Sequence, residues 1–368
     1  MPKTFLYVGC CNRETPYFAT SNGKGIAVFE IDLDSGHLEP VGVQEGIDNP
    51  TFLSVDAAGT RLYANSEVFG WNEGVVSAYD IDRATGRLDY INKQAAQGSI
   101  TAFNSSDRSG RYLLVANYGM SPVADRPNRS VISFPIRADG GLGAAAGSAA
   151  HEGKGIDPER QERPHAHSIR ISPDNRFAVA ADLGIDALVS YAFDEASGHL
   201  ERVATFRLPE GSGPRHFVFD PAAPRAYVVN ELNSTVCSLA YDAESGALAL
   251  LDSCATVPGE ATGNHCSEIT LAPSGKRLFV ANRGHDSIAT IAIDPEIGKL
   301  RLEANTPAGG KTPRHMAIDP SGQFLVVANQ DSDRLAVFCL SGADEALSSV
   351  GGTSTGTPTC VAFLPFGA

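Results

Sequence analysis

The stretch GPRHFVFDPAAPRAYVVNELNST, residues 213–235, decides the fold. Two short apolar runs, FVF and AYVV, flank the turn sequence DPAAP, and this pattern predicts a β-hairpin. Arg215 and His216 enter the first strand, and Glu231 follows the second. Because the strands of a hairpin run antiparallel, we expect Arg215 and Glu231 to lie side by side at one end of it.

The same hairpin phrase returns along the whole chain, about every 50 residues, as in repeat architectures. Its second-strand segments are FLYVGC (5–10), RLYANS (61–66), YLLVANY (112–118), FAVAADL (177–183), AYVVNEL (226–232), LFVANRG (278–284) and LVVANQD (325–331). A third strand and the start of a fourth follow each segment. Seven units of four antiparallel strands predict an all-β fold, a seven-bladed β-propeller.

The first unit begins directly at its second strand, and the missing first strand stands at the other end of the chain as TPTCVAFLP (357–365). We therefore expect this C-terminal strand to pair beside residues 4–9 and to close the ring in blade one. A single propeller domain over 1–368 follows, because the split repeat argues against a tandem of separate domains.

Two connections exceed the repeat. One is GMSPVADRPN (119–128), and the other is an insertion at about 143–163. Long connections in compact domains often act as lids or binding loops. We expect the Ala/Gly/Ser-rich first half of the longer insertion to be flexible and its charged second half to be functional.

Composition narrows the class of protein. A net charge of −14 over 368 residues argues against nucleic acid and anionic membrane surfaces as partners. No stretch has the apolar length of a membrane span or of a signal peptide. Seven cysteines without framework spacing indicate reduced, mostly buried thiols in a cytoplasmic protein. A small anionic ligand would need a locally basic pocket.

Comparing the repeats separates structural positions from functional ones. The second strand ends on Asn or Asp in six units, and such a side chain can bond the turn backbone. Two other positions vary between blades: the residue after this Asn or Asp, and the residue at which the first strand begins. In a propeller both positions lie on the same face, so we expect a site at one mouth of the central channel. Its candidate residues are His165, His167, Arg215, His216, Glu231, His265, Glu268, Arg283, Arg314, His315 and Gln330.

These residue types suit proton transfer beside a stabilised oxyanion. Paired arginines recognise carboxylate or phosphate, and Glu231 and His167 can carry protons. No phosphate-binding loop or dinucleotide fingerprint occurs. A metal site is the alternative for the histidines, but arginines interleave them and no HExxH pattern is present. Lactone hydrolysis and cycloisomerisation of an unsaturated diacid both fit.

Together with the seven repeats, the segments HEGKGIDPERQERPHAHS (151–168), GPRH (213–216), VVNELNSTV (228–236) and FVANRGHDSIATI (279–291) resemble the propeller-type lactonase family, over 5–365. That family includes seven-bladed 6-phosphogluconolactonases and carboxy-muconate cycloisomerases. The resemblance implies a metal-independent enzyme without a cofactor, acting on 6-phospho-D-glucono-1,5-lactone, with the cycloisomerase as the alternative. A non-catalytic interaction platform is a second class, which the charged mouth disfavours.

The resemblance places the catalytic residues at His167, Arg215, Glu231 and Arg283, and we expect the other seven candidates to bind substrate. Glu231 is expected to be an ionised general base beside Arg283, with His167 donating a proton to the leaving oxygen or polarising the carbonyl. Two alternatives stay open. The two roles could be exchanged, or Glu231 could only hold the arginines in place.

Overall fold

The computed structural model describes residues 4–119 and 128–366. It contains 28 β-strands in seven separate four-stranded sheets, and every pairing within a sheet is antiparallel. The described residues include no α-helix, only two single turns of 3₁₀ helix, and no segment of them forms a helix able to cross a membrane. The prediction of an all-β, seven-bladed propeller is confirmed. Most of the predicted 119–128 connection lies outside the described residues.

Each blade is one sheet, and six of the seven use four consecutive strands. The exception, blade one, orders β28 (Pro358–Phe363), β1 (Thr4–Cys10), β2 (Ile26–Ile31) and β3 (Leu38–Gln44) from the inside outward. The others are, for blade two, β4 (Leu53–Val55), β5 (Arg61–Ser66), β6 (Val75–Ile81) and β7 (Leu88–Ala95); for blade three, β8 (Ser99–Ser106), β9 (Tyr112–Gly119), β10 (Val131–Pro135) and β11 (Gly147–Ala149); for blade four, β12 (Ala166–Ile171), β13 (Phe177–Asp182), β14 (Ala187–Phe193) and β15 (Leu200–Arg207); for blade five, β16 (Pro214–Phe219), β17 (Arg225–Asn230), β18 (Thr235–Tyr241) and β19 (Leu248–Ala255); for blade six, β20 (His265–Leu271), β21 (Arg277–Arg283), β22 (Ser287–Ile293) and β23 (Leu300–Pro307); and for blade seven, β24 (Pro313–Ile318), β25 (Phe324–Asn329), β26 (Arg334–Ser341) and β27 (Ala346–Ser354).

The C-terminal strand closes the ring as predicted. Strand β28 pairs antiparallel with β1, and Val361 stands opposite Val8. The innermost strands of successive blades contact one another around the whole circle, including β24 with β28 and β28 with β4. Closure packs the inner edge strand of every blade against those of its neighbours, so these edges are short and protected from the edge-to-edge association that open sheets risk.

The core lies between the blades. Second strands such as FAVAAD in β13 and FLVVAN in β25 are buried along their whole length, because a neighbouring blade covers each of their faces. The tyrosines Tyr7, Tyr63, Tyr191 and Tyr227 are completely buried there. Burying a side chain of this size stabilises the fold by roughly 1.5–3 kcal/mol.

An Asn or Asp ends the second strand in six of the seven blades, and in Asn117 and Asp182 the predicted structural role is visible. Asn117 donates to the carbonyl oxygens of Ala96 and Arg129 at 2.7 and 2.9 Å. Asp182 accepts from the backbone N–H groups of His165 and Gly184 at 2.7 and 3.0 Å. These side chains tie the channel mouth to the connections that cross it.

The 143–163 segment differs from the prediction. Its first half is not an insertion, because Gly147–Ala149 forms the outer strand β11 and pairs with β10. The connection without regular strands therefore runs over 150–165. Its start is anchored by His151, which lies 2.5 Å from Asp182 Oδ2 and 2.6 Å from the Tyr191 hydroxyl.

Candidate active site

Three of the predicted side chains are aimed by irregularities in the innermost strands. The pairing with the second strand slips by one residue at His167 in blade four, at Arg215 in blade five and at Arg314 in blade seven. A β-bulge leaves one residue unpaired, bends the strand and redirects its side chain. The entry position of the first strand can therefore carry chemistry without breaking the ladder that holds the blade together.

Glu231 is the centre of the mouth. Its Oε1 lies 2.6 Å from Arg160 Nη2, and its Oε2 lies 2.9 Å from Arg283 Nη2 and 3.1 Å from Arg215 Nε. Arg215 and Glu231 thus meet as the hairpin predicted. The Arg215 Nε–H does not point at the carboxylate and has no hydrogen-bond acceptor, so this contact is purely electrostatic.

Backbone carbonyl groups hold Arg215 and Arg283 in addition to Glu231. Arg215 Nη1 donates to the Ser267 carbonyl oxygen. Arg283 donates to the carbonyl oxygens of His265 and Cys266 at 3.2 and 3.1 Å. Such preorganised donors keep their positions when charge develops on a bound molecule.

The electrostatics of the cluster keep Glu231 ionised. Burial opposes its charge, but Arg283, Arg160 and Arg215 outweigh burial and hold its pKa well below the usual value. Burial, with Arg283 and Arg314 nearby, lowers the pKa of Arg215 to about 9, so it stays protonated at neutral pH. Glu231 is therefore a fixed anion and a weak base.

His167 has a different environment. It is buried between the rings of Tyr118 and His216, with centroids 5.5 and 5.1 Å away, and its Nδ1 has no hydrogen-bond partner. Burial, together with the positive charge of Arg215, holds its pKa well below the usual value. At neutral pH it is a neutral imidazole whose ring forms no hydrogen bond to any residue in the described ranges.

Arg160 belongs to the site, although the repeats did not identify it. It comes from the 150–165 connection and lies 3.4 Å from the Tyr118 hydroxyl as well as against Glu231. Gln161 secures it by donating to Leu183 O at 2.8 Å and Asp186 Oδ1 at 2.7 Å. The only sequence signal was the charged composition of this segment, which we predicted to be functional.

A second ionic cluster lies beside the first and was also missed. Glu67 accepts from Thr51 Oγ1 at 2.6 Å and from the Tyr17 hydroxyl at 3.1 Å. Arg314 Nη2 lies 3.5 Å from Glu67 and its guanidinium covers the ring of Phe18 at 4.7 Å. Glu67 stands one residue beyond the variable position that was compared, which is why the repeats did not reveal it.

Three of the predicted substrate-binding residues form an internal network instead. Glu268 Oε2 lies 2.9 Å from His216 Nδ1 and 3.0 Å from His315 Nε2, and all three side chains are buried. Each of these residues comes directly after the entry position of its first strand and therefore lies deeper in the channel. Phe52 and Phe103 pack on the His216 ring there. The three residues support the mouth from below, and His315 faces the opposite end of the channel.

The other candidates lie at the edge of the cluster. His165 stacks on Tyr118 and lies 3.1 Å from Glu162 Oε2. His265 is exposed and offers its carbonyl group to Arg283. Gln330 is buried, donates to Asp331 at 2.8 Å and keeps its Oε1 without a hydrogen bond. Within 4–119 and 128–366, no three His, Cys, Asp or Glu side chains are grouped to hold a metal ion.

Fold and site together define a class: a seven-bladed propeller with an arginine-rich mouth and a neutral histidine, suited to acyl chemistry on an anion. The comparisons specify the family. The family model "Lactonase, 7-bladed beta-propeller" matches residues 5–363, and the chain belongs to this family.

Three similar proteins are named as lactonases. The 6-phosphogluconolactonase of Bacillus subtilis is 32% identical over 366 residues, which cover 99% of each chain. A 6-phosphogluconolactonase of Formosa agariphila is 32% identical over 85% of this chain and 86% of its own. The structure of a periplasmic gluconolactonase from Pseudomonas aeruginosa is 30% identical, covers 98% of this chain and 99% of its own, and has a TM-score of 0.87. These relatives support lactone hydrolysis as the reaction class, whereas a cytoplasmic location for this chain stays a prediction.

Proposed function

We propose that this protein hydrolyses a sugar lactone, and that its substrate is 6-phospho-D-glucono-1,5-lactone, opened to 6-phosphogluconate. The observation that carries the proposal is the charge at the mouth. Among the residues that the structure describes, Arg160, Arg215, Arg283 and Arg314 form ion pairs with only two carboxylates, those of Glu231 and Glu67. This excess of positive charge, in a chain of net charge −14, suits a phosphorylated substrate.

His167 is the proposed general base. A neutral imidazole can take a proton from a water molecule as that water attacks the lactone carbonyl, forming the new C–O bond. The carbonyl oxygen becomes an oxyanion, for which Arg215 and Arg283 supply fixed positive charge. When the tetrahedral intermediate collapses, the ring C–O bond breaks and the imidazolium returns its proton to the leaving ring oxygen.

Glu231 is assigned to holding the arginines rather than to the base role. Both of its oxygens are engaged by guanidinium groups, and a carboxylate so stabilised has little tendency to accept a proton. Burial is the main cause of the depressed pKa of His167, and the charge of Arg215 adds to it; an anionic substrate on the arginines would offset this second contribution and strengthen the base within the complex. Of the alternatives left open by the sequence, this one has the better geometric support.

The test is ring opening across a panel of lactones. The panel contains 6-phosphogluconolactone, unphosphorylated gluconolactone and a carboxy-muconate lactone, each corrected for spontaneous hydrolysis and measured with wild type and Arg283→Lys. We expect the highest kcat/KM with the phosphorylated sugar and a loss of about tenfold or more in Arg283→Lys, because lysine cannot reproduce the planar guanidinium contacts. Preference for the diacid lactone, or no enzymatic rate with any compound, would contradict the proposal.

A further inference from the structure

The end of the channel opposite the candidate active site opens into a cavity of about 1010 Å³. The active-site residues lie where the first strands begin, whereas this cavity lies where those strands end. Strands β4, β8, β12, β16, β24 and β28 all contribute residues to its wall. The rings of Phe52 and Phe103 and the network around Glu268 separate the two mouths.

One wall of the cavity carries an arginine without a counter-ion. Arg170 Nε is buried and has no hydrogen-bond partner, and no carboxylate of the described residues forms an ion pair with this side chain. The guanidinium carbon of Arg170 lies over the face of the Phe103 ring, 4.9 Å from the ring centroid. Burial lowers the pKa of Arg170, the negative charge of Glu268 opposes this shift, and the like charge of Arg108 adds to it. A buried guanidinium without an ion-pair partner destabilises the protein unless an anion pairs with it.

The acidic groups around the cavity are already engaged. Asp56 accepts from the backbone N–H groups of Thr60 and Arg61 at 2.6 and 2.8 Å. Asp107 accepts from the Tyr112 backbone N–H at 2.9 Å and from the Ser109 hydroxyl.

The other charged groups follow the same pattern. Glu268 is held by two histidines, and the wall arginine Arg137 is paired with Asp139 at 2.8 Å. The wall also contains the buried Ser106 hydroxyl, which has no hydrogen-bond partner. Buried donors without a hydrogen-bond partner are therefore left at Arg170, Ser106 and Arg61 Nε, but the Arg61 guanidinium is already paired with Asp80, so the unpaired positive charge of this wall is that of Arg170, with the exposed Arg108 beside it.

We propose that this cavity is a second binding site, for a small organic anion whose carboxylate or phosphate group pairs with Arg170. The guanidinium offers a planar fork of donors to such a group, and the Ser106 hydroxyl adds a neutral donor. Apolar side chains of the wall, including Val218 and Ala317, leave room for a carbon skeleton beside the charged group. This site shares no residue with the proposed lactonase mouth.

Calorimetric titration with two probes, inorganic phosphate and gluconate, tests the proposal and separates the two head groups. The titrations use the full chain as wild type, Arg170→Gln and Arg137→Gln, the last as a control because that wall arginine is already paired. We expect Arg170→Gln to weaken the binding of at least one probe at one site by about tenfold or more. Arg137→Gln should change the affinity for that probe by less than about twofold.

The catalytic mouth could bind the same anions, so Arg283→Ala is titrated alone and combined with Arg170→Gln. Persistence of a binding event in Arg283→Ala, and its loss in the double variant, supports the second site. Isotherms for both probes that are identical in Arg170→Gln and wild type would overturn it. If Arg170→Gln does not fold, the exposed Arg108→Gln replaces it, and unchanged affinity for both probes would then count against the proposal.

Discussion

Replacing Glu231 by Gln separates the two roles proposed for this carboxylate. The substitution keeps the size of the side chain and removes the charge that three guanidinium groups contact within 3.1 Å. Because the cluster is buried, three like charges would then face a neutral amide. Removing one partner of a buried ion pair costs about 3–5 kcal/mol of unfolding free energy. Glu303 lies between Arg277 and Arg301 on the outer strand β23, and Glu303→Gln there should cost less than about 1 kcal/mol.

The pH dependence of this difference has a defined sign. The folded-state pKa of Glu231 is depressed, so its stabilising effect is fully present above the ordinary value of 4.5 and is lost as the pH falls towards the depressed value. Chemical denaturation of wild type and Glu231→Gln should give a constant difference in unfolding free energy from pH 6 to 8, because this whole range lies above the ordinary pKa of a glutamate. The difference should shrink only below the ordinary pKa.

Kinetics supply the decisive readout. If Glu231 holds the arginines, Glu231→Gln should raise KM and lower kcat/KM by about 10- to 100-fold, the equivalent of about 1.5–3 kcal/mol of lost charge-assisted binding. Steady-state ring opening of 6-phosphogluconolactone measures both constants. A large fall in kcat with unchanged KM and unchanged stability would refute this reasoning and restore Glu231 as the base.

Three further substitutions test other parts of the account. His167→Asn should lower kcat by about 10²–10⁴ with KM nearly unchanged. Because the depressed pKa keeps His167 neutral, wild-type kcat/KM should stay flat as the pH falls through 6.5, and a sharp fall there would contradict the assignment. Arg160→Ala should raise KM by about tenfold and leave stability nearly unchanged, whereas an unchanged KM would exclude Arg160 from the site. Gly9→Ala should lower the free energy of unfolding by about 1–3 kcal/mol because its Cβ would collide with the Pro50 carbonyl, and Gly42→Ala, which meets nothing, is the control in the same denaturation series.

The repeats predicted the fold because every unit has the same pattern of strands. A strand assignment that is ambiguous in one unit is settled by the equivalent segments of the other six. The pairing of Arg215 with Glu231 followed from hairpin geometry, and the structure places Pro214 opposite Asn230 next to them. Closure by Val361 beside Val8 followed from the incomplete first unit. These features depend on local pattern and period, which a sequence displays directly.

The rest of the site depends on contacts made by residues that do not recur from one repeat to the next. Arg160 reaches Glu231 from an irregular connection, and Glu67 reaches Arg314 from one residue outside the compared position. The bulges also change the depth of the residue that follows, so His216 and His315 join Glu268 inside the channel instead of lining the mouth. Sequence spacing alone does not locate bulges in a strand, which is why these residues were assigned to the wrong surface.

We propose that an arginine-rich propeller mouth opens a phosphorylated sugar lactone. The most direct measurement is the ratio of kcat/KM for 6-phosphogluconolactone to that for gluconolactone, taken at low and high ionic strength. We expect a ratio of about 10 to 100 at low salt, from one or two charge-assisted contacts, and a smaller ratio at high salt. A ratio near one at both ionic strengths, or hydrolysis no faster than the spontaneous reaction, would contradict it.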